Sequence, residues 1–305
     1  MKDQADNIKE TTMKRVMMTL SGLALAGAMT GAQANEINVG GKNYTEQLIL
    51  ANMTELYLDD LGYDVTRRDG MGSAVLRQAQ ENGQIDLYWE YTGTSLIVYN
   101  DISESLSREA TYDKVKELDA EKGLVWLEPS DANNTYAMAM REDHAEEHGI
   151  ATLEDLADEV NNDMDLTVGL DTEFYSRNDG WRPLQETYDF KVGRSDIVRM
   201  DTGLMYSALR DSEVDVAVVF STDGRVPAFD LRILEDTKGY FPAYALTPVV
   251  REETLEANPE LAEQMNALSA LLDDETMASL NARVDVERET IEDVAESFLE
   301  EQDLI

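Results

Sequence analysis

The chain contains no cysteine, so disulfides and thiolate metal sites are excluded and stability must come from packing. Histidine is nearly as scarce, with only His144 and His148. Their i, i+4 spacing would put both on one helix face, as in a zinc site, but Ala145 stands where a zinc protease has its glutamate. The run around them reads as an acidic, solvated helix, and no metal site is expected. No Gly-x-Ser-x-Gly elbow, phosphate loop or dinucleotide fingerprint is present. The stretch Gly70-Met71-Gly72-Ser73 has two glycines only and reads as a tight strand-to-helix turn. The chain is therefore expected to have neither catalytic residues nor a cofactor. No Pro-rich linker, low-complexity tract or solenoid repeat divides it.

Basic residues are the remaining shortage. There are 25 Lys and Arg against 63 Asp and Glu, a formal charge of −38 at pH 7. Such an excess argues against nucleic acid as a partner, because the phosphates would be repelled. A hydrophobic content of 43% with clear strand and helix patterns indicates a folded chain despite the acid. Self-repulsion on this scale is tolerated where salt screens it, which points to a halophilic source and to carboxylates that are mostly solvated.

What is present begins with an address. Lys14 and Arg15 precede an apolar stretch over 16–29, and Ala32-Gln33-Ala34 follows, the order of a secretory signal peptide cleaved before Asn35. The stretch is too short for a bilayer helix. No Cys stands near the cleavage point to carry a lipid anchor. The expected mature protein is soluble in a periplasm-like space.

From residue 37 the pattern alternates. Strands over 37–40, 64–68 and 85–88 are separated by helices from Thr45 to about 61 and from 74 to about 82. This order implies a parallel sheet covered by helices on both faces, with ligands at the carboxyl ends of the strands. The order repeats after residue 136: strands over 136–140, 166–170, 214–220, 231–234 and 247–250, and helices over 153–160, 179–188 and 202–210. Two or three helices follow from about Pro259. The pattern fits two α/β lobes, one formed by 35–134 plus 243–305 and the other, inserted, by 135–242.

The most informative segment is Leu87-Tyr88-Trp89-Glu90-Tyr91-Thr92-Gly93-Thr94. Three rings within four positions, where a strand meets a loop, read as pocket walls; a strand edge packed on a helix is the plainer alternative. Electron-rich ring faces attract quaternary ammonium ions, by about 0.5–1 kcal/mol when exposed and about 2 when desolvated. Other unusual segments stand at strand ends: Gly41-Lys42-Asn43-Tyr44-Thr45-Glu46-Gln47, Asn133-Asn134-Thr135-Tyr136, the run from Phe174 through Arg177 to Trp181, Phe220-Ser221-Thr222-Asp223-Gly224, and Phe241-Pro242-Ala243-Tyr244. Lys42 and Arg177 stand out because cations are rare in this chain, with a structural salt bridge as the plainer reading of each.

These segments, in this order, resemble the substrate-binding proteins of ABC importers for glycine betaine, choline and related osmoprotectants. The resemblance runs from Ile37 to about Arg251 and is most specific in Lys42 to Gln47, Glu90 to Thr94 and Ser221 to Gly224. It implies a type II-like periplasmic-binding-protein fold of two lobes that close on a ligand in the cleft between them. It implies an aromatic box walled by Tyr91, Tyr136 and Tyr244, with Phe220 where a Tyr is expected. Thr94, Lys42 and Arg177 would hold the carboxylate of a betaine, and Asn134 stands where some relatives carry Asp. Both departures suggest modest affinity or a shifted ligand preference. Three or four rings would contribute roughly 3–8 kcal/mol before the entropy cost of binding. The implied partners are a quaternary ammonium solute and the importer's permease subunits, with the binding protein a monomer. Glycine betaine is favoured because Lys42 and Arg177 offer a carboxylate its partners. Choline, proline betaine, carnitine and ectoine are the alternatives within the fold. A secreted hydrolase with a carboxylate pair, or a sensory module, is the alternative outside it.

Overall fold

Strand alternation and helical periodicity build two five-stranded sheets in the structure, a computed structural model that describes residues 36–104 and 106–305. The signal peptide expected over 1–34 lies outside the described residues. The first sheet has the order β2-β1-β3-β10-β4, from Glu36–Lys42 (β1), Asp64–Met71 (β2), Leu87–Tyr91 (β3), Leu124–Trp126 (β4) and Leu246–Arg251 (β10). The second has the order β7-β6-β8-β5-β9, from Tyr136–Arg141 (β5), Val168–Leu170 (β6), Ile197–Arg199 (β7), Val216–Phe220 (β8) and Leu231–Ile233 (β9). Asn35–Ile305 forms one compact unit.

The expected all-parallel sheet is corrected to a mixed one. β1 pairs in parallel with β2 and β3, as the β-α-β order requires, but β10 inserts antiparallel between β3 and β4. The second sheet repeats the scheme: β6 is parallel to β7 and β8, and β5 is antiparallel to both β8 and β9. The antiparallel strand in each case comes from the chain's passage between the sheets, so its direction follows from the crossover rather than from a β-α-β unit.

Helices cover the sheets through apolar faces. The Thr45–Asp60 helix buries Ile49, Leu50, Met53, Tyr57 and Leu58. Full burial of such side chains contributes about 1.5–3 kcal/mol each. Leu61, expected in the same stripe, lies past the helix end and is exposed. Three helices, Leu261–Ser269, Asp274–Asp285 and Ile291–Glu301, complete the chain, and the last two pack on the Thr45–Asp60 helix. His144 and His148 fall on the Glu142–His148 helix with ring centroids 4.9 Å apart, and no metal-binding cluster occurs among the described residues.

Candidate ligand-binding site

The segment Leu87–Tyr91 is a central strand, buried on both faces, and its period of two sorts its rings. Trp89 and Tyr91 face the Thr45–Asp60 helix: Trp89 Nε1 donates to Thr54 Oγ1 at 2.9 Å and Tyr91 Oη to Glu46 Oε1 at 2.6 Å. Tyr88 and Glu90 face the other way, with Tyr88 Oη donating to Glu90 Oε2 at 2.9 Å and Lys42 Nζ to Glu90 Oε1 at 2.6 Å. The expectation that all three rings wall a pocket is thus corrected. Tyr88 and Trp89 are core, because the strand carries them under the sheet's cover, and only Tyr91, at its carboxyl end, reaches the cavity.

The second sheet delivers its rings by cross-strand pairing. Tyr136 opens β5, Phe220 closes β8, and the two are direct antiparallel partners with ring centroids 5.0 Å apart. Tyr244 lies edge-on to Tyr136 at 5.7 Å, just before β10. A Cβ at Gly93 would lie 2.7 Å from the Tyr244 ring, so this approach requires glycine. Tyr44, at the N-cap of the Thr45–Asp60 helix, stacks on Phe220 at 5.2 Å and on Tyr91 at 6.5 Å, joining the two groups of rings.

These rings surround a cavity of about 520 Å³, within the range of small-molecule sites. Lys42, Tyr91, Thr94, Asn134, Tyr136, Phe220 and Tyr244 all line it. Arg177 does not. Its guanidinium lies 5.1 Å from the Tyr136 ring and 5.8 Å from that of Tyr244, and it makes two bonds to Asp179, at 2.7 and 2.6 Å. The Tyr244 hydroxyl donates to the same carboxylate. A third contact reaches Thr94 Oγ1 at 3.4 Å and a fourth Glu173 Oε1 at 3.2 Å. Arg177 thus lies behind the ring cluster, with its fork bonded to Asp179 two residues on. Lys42 is buried against Glu90 and 4.9 Å from the Tyr91 ring, so both cations stand in buried ion pairs. Lys42 differs in lining the cavity while spending one N–H on Glu90.

Acidic groups complete the surroundings. Asp171 follows β6 and caps the Thr172–Ser176 helix, its Oδ1 accepting from the Phe174 N–H at 2.9 Å. Its Oδ2 is buried without a hydrogen-bond partner among the described residues, and burial pushes its carboxyl up. Glu173 lines the cavity and accepts from Ser73 Oγ at 3.0 Å. Glu46 is buried among four neutral donors: Tyr91, Asn134 at 2.7 Å, Thr222 at 2.8 Å and Asn281 at 3.2 Å. Burial pushes this carboxyl up against the downward pull of those bonds. Burial also pushes the hydroxyls of Tyr44, Tyr91, Tyr136 and Tyr244 well above their ordinary value, so the rings stay neutral and their faces remain π donors to a cation.

Reasoning from sequence missed Tyr44, Glu46, Asp171 and Glu173. Tyr44 and Glu46 lay inside a quoted motif without a role, and Asp171 was signalled by its place just past the carboxyl end of a strand. Glu173 carried no such signal among so many carboxylates.

The family model for the substrate-binding domain of ABC-type glycine betaine transport systems matches residues 35–301. The chain is 46% identical over 299 residues to a glycine-betaine-binding protein of Pseudomonas aeruginosa, covering 96% of this chain and 95% of that protein. Apo YehZ from Escherichia coli has the same fold with a TM-score of 0.65 and 32% identity, covering 89% of this chain and all of that one. A crystal structure titled glycine betaine/carnitine/choline ABC transporter gives a TM-score of 0.71 at 26% identity, covering 88% and 99% of the two chains. With its two α/β sheets and the cavity lined from both, the chain belongs to the family of substrate-binding domains of ABC-type glycine betaine transport systems.

Proposed function

We propose that the chain captures glycine betaine in the ring-lined cavity and delivers it to the permease subunits of an ABC importer. One observation carries this reading: five rings, Tyr44, Tyr91, Tyr136, Phe220 and Tyr244, meet around one cavity lined from both sheets. A methylated ammonium cannot donate an N–H hydrogen bond, so electron-rich, easily desolvated faces suit it better than directional acceptors. Phe220 keeps the ring face that a cation needs. Lys42, with N–H donors left after Glu90, and the Thr94 hydroxyl are the partners for the carboxylate. Arg177 has the task of bracing Tyr136 and Tyr244. Asn134 holds Glu46 beside the cage.

In this reading 35–134 plus 243–305 form one lobe and 135–242 the other, matching the strands that each sheet draws on. Bonds between elements of the two, Ser73 to Glu173, Arg177 to Thr94 and Thr222 to Glu46, are those of a closed cleft. Family membership makes the chain a binding protein rather than an enzyme and puts it outside the cytoplasm. The finer assignment is a monomer exported by a cleaved signal peptide to the periplasm, without a lipid anchor and without nucleic acid as a partner. The acidic surface is that of a halophile.

Calorimetry with glycine betaine, choline and glycine tests the ligand, with NMR of the recovered solute to exclude turnover. Saturable heat with micromolar affinity for glycine betaine, weaker heat for choline and none for glycine are expected. No binding of any methylated amine, or chemical change in the solute, overturns the proposal.

A further inference from the structure

The four donors to Glu46 come from four separate parts of the chain. Oε1 accepts from the Tyr91 hydroxyl and from Asn134 Nδ2, and Oε2 from the Thr222 hydroxyl and Asn281 Nδ2. Each oxygen therefore holds one amide N–H, an obligate donor, which is the arrangement of an anion. All four partners are neutral. Among the described residues the nearby cations are engaged elsewhere: Lys42 with Glu90, Arg177 with Asp179, and Arg225 with Asp223 and Asp285. A buried charge without a counter-charge is costly and invites one from outside.

The link from this carboxylate to the cage is short. At 2.6 Å, the Tyr91 hydroxyl bond to Glu46 lies in the range of charge-assisted O–H···O⁻ bonds. Donation to an anion pushes electron density into the phenol ring and strengthens its hold on a cation. Asn134 and Thr222, the next two donors, stand two residues from the cage rings Tyr136 and Phe220. One carboxylate thus references three cage walls to a single point.

We propose that Glu46 is a positioning residue that supplies the buried negative charge for the ligand's cationic head, acting through the hydroxyl of Tyr91. The inference rests on reading the cavity as a quaternary ammonium site. It also accounts for Asn134, whose amide leaves the cage without a charge of its own at that point but secures the one on Glu46.

The test uses two ligands of one shape: glycine betaine and 3,3-dimethylbutanoate, in which carbon replaces the ammonium nitrogen. Both carry the carboxylate, so their affinity ratio reads only the contribution of the positive charge. Calorimetry, with displacement for the weaker ligand, is run on the mature wild-type protein and on Glu46→Gln. Wild type should prefer glycine betaine, and Glu46→Gln should reduce that preference at least about tenfold, equivalent to about 1.4 kcal/mol. A purely structural glutamate would weaken both ligands by one factor, and that result, or an unchanged ratio, overturns the inference. Should Glu46→Gln fail to fold, Tyr91→Phe keeps the ring and removes the link. A reduced preference there supports the role, and an unchanged one overturns it. Wild type binding neither ligand would instead sink the quaternary ammonium reading itself, and this inference with it.

Discussion

Tyr136 offers the sharpest separation of ring face from hydroxyl. Its ring contacts Phe174 and Phe220 at 5.0 Å each and Tyr244 at 5.7 Å, yet its hydroxyl makes no hydrogen bond among the described residues. Tyr136→Leu retains apolar bulk and removes the π face. In a desolvated cage one face is worth about 1–2 kcal/mol, so glycine betaine should bind roughly 5- to 30-fold more weakly. Tyr136→Phe retains the face and should stay within about threefold of wild type. Calorimetric titration of both variants measures this, with thermal unfolding to check that repacking against Phe174 and Phe220 has not altered the fold. Wild-type affinity in the Leu variant would mean that the ring is not a wall of the site. An equal loss in the Phe variant would mean that the hydroxyl, not the face, meets the ligand.

Arg177→Ala leaves the buried Asp179 carboxylate uncompensated and should destabilise the fold by about 3–5 kcal/mol in chemical denaturation. It should weaken glycine betaine and choline alike, since the guanidinium braces two rings rather than lining the cavity; a loss confined to glycine betaine would restore a direct carboxylate contact. Gly93→Ala puts a Cβ 2.7 Å from the Tyr244 ring and should weaken glycine betaine at least about tenfold by displacing that wall, and unchanged affinity would show Tyr244 to be no part of the cage. Burial alone would raise the Asp119 carboxyl, but two bonds from Arg77 with those of Trp126 and Ser95 hold it at about 2, below its ordinary 3.8. A depressed carboxyl contributes stability that is complete above the unfolded value and lost as pH falls through the folded one. Thermal unfolding should therefore lose about 2 kcal/mol between pH 5 and pH 2 from this group, and an Asp119→Asn variant should lack that part of the slope.

Much of the lining of the cavity was legible because its residues stand at strand ends and helix starts, where short motifs survive in order. Lys42 closes β1, Tyr91 closes β3, Tyr136 opens β5 and Phe220 closes β8, so these four segments map to strand ends. The β-α-β order fixed the parallel half of each sheet in the same way. The antiparallel strands were not legible, because β5 and β10 take their direction from crossings between the sheets rather than from a local period. Trp89 and Tyr88 misled for a related reason: aromatic residues suit both a pocket and a central strand, and only register with β10 decides which. Charge pairing divides by distance along the chain. Asp179 lies two residues from Arg177 and its capture of that guanidinium could be read, whereas Lys42 and Glu90 are brought together only by the pairing of β1 with β3. Glu46 was hidden by the other carboxylates, since nothing local distinguishes a buried acid from a solvated one.

The cations behind the rings pose an electrostatic question that their partners answer. Lys42 lies 4.9 Å from the Tyr91 ring and Arg177 5.1 Å from that of Tyr136, so a bound ammonium would face rings that already carry a positive group. Left bare, those charges would cancel the attraction of the ring faces. Each is instead paired at 2.6 Å with a buried carboxylate, Glu90 or Asp179, and two opposite charges at that separation present a dipole whose field falls off much faster than that of a lone ion. The rings are held firmly while the cavity feels little of the cations that hold them. The acids near the cavity that no cation pairs among the described residues are Glu46 and Asp171. In the function proposed above, a methylated cation would be drawn to the ring faces and to Glu46 behind them, and a carboxylate on the same ligand would be left the donors of Lys42 and Thr94 at the cavity wall.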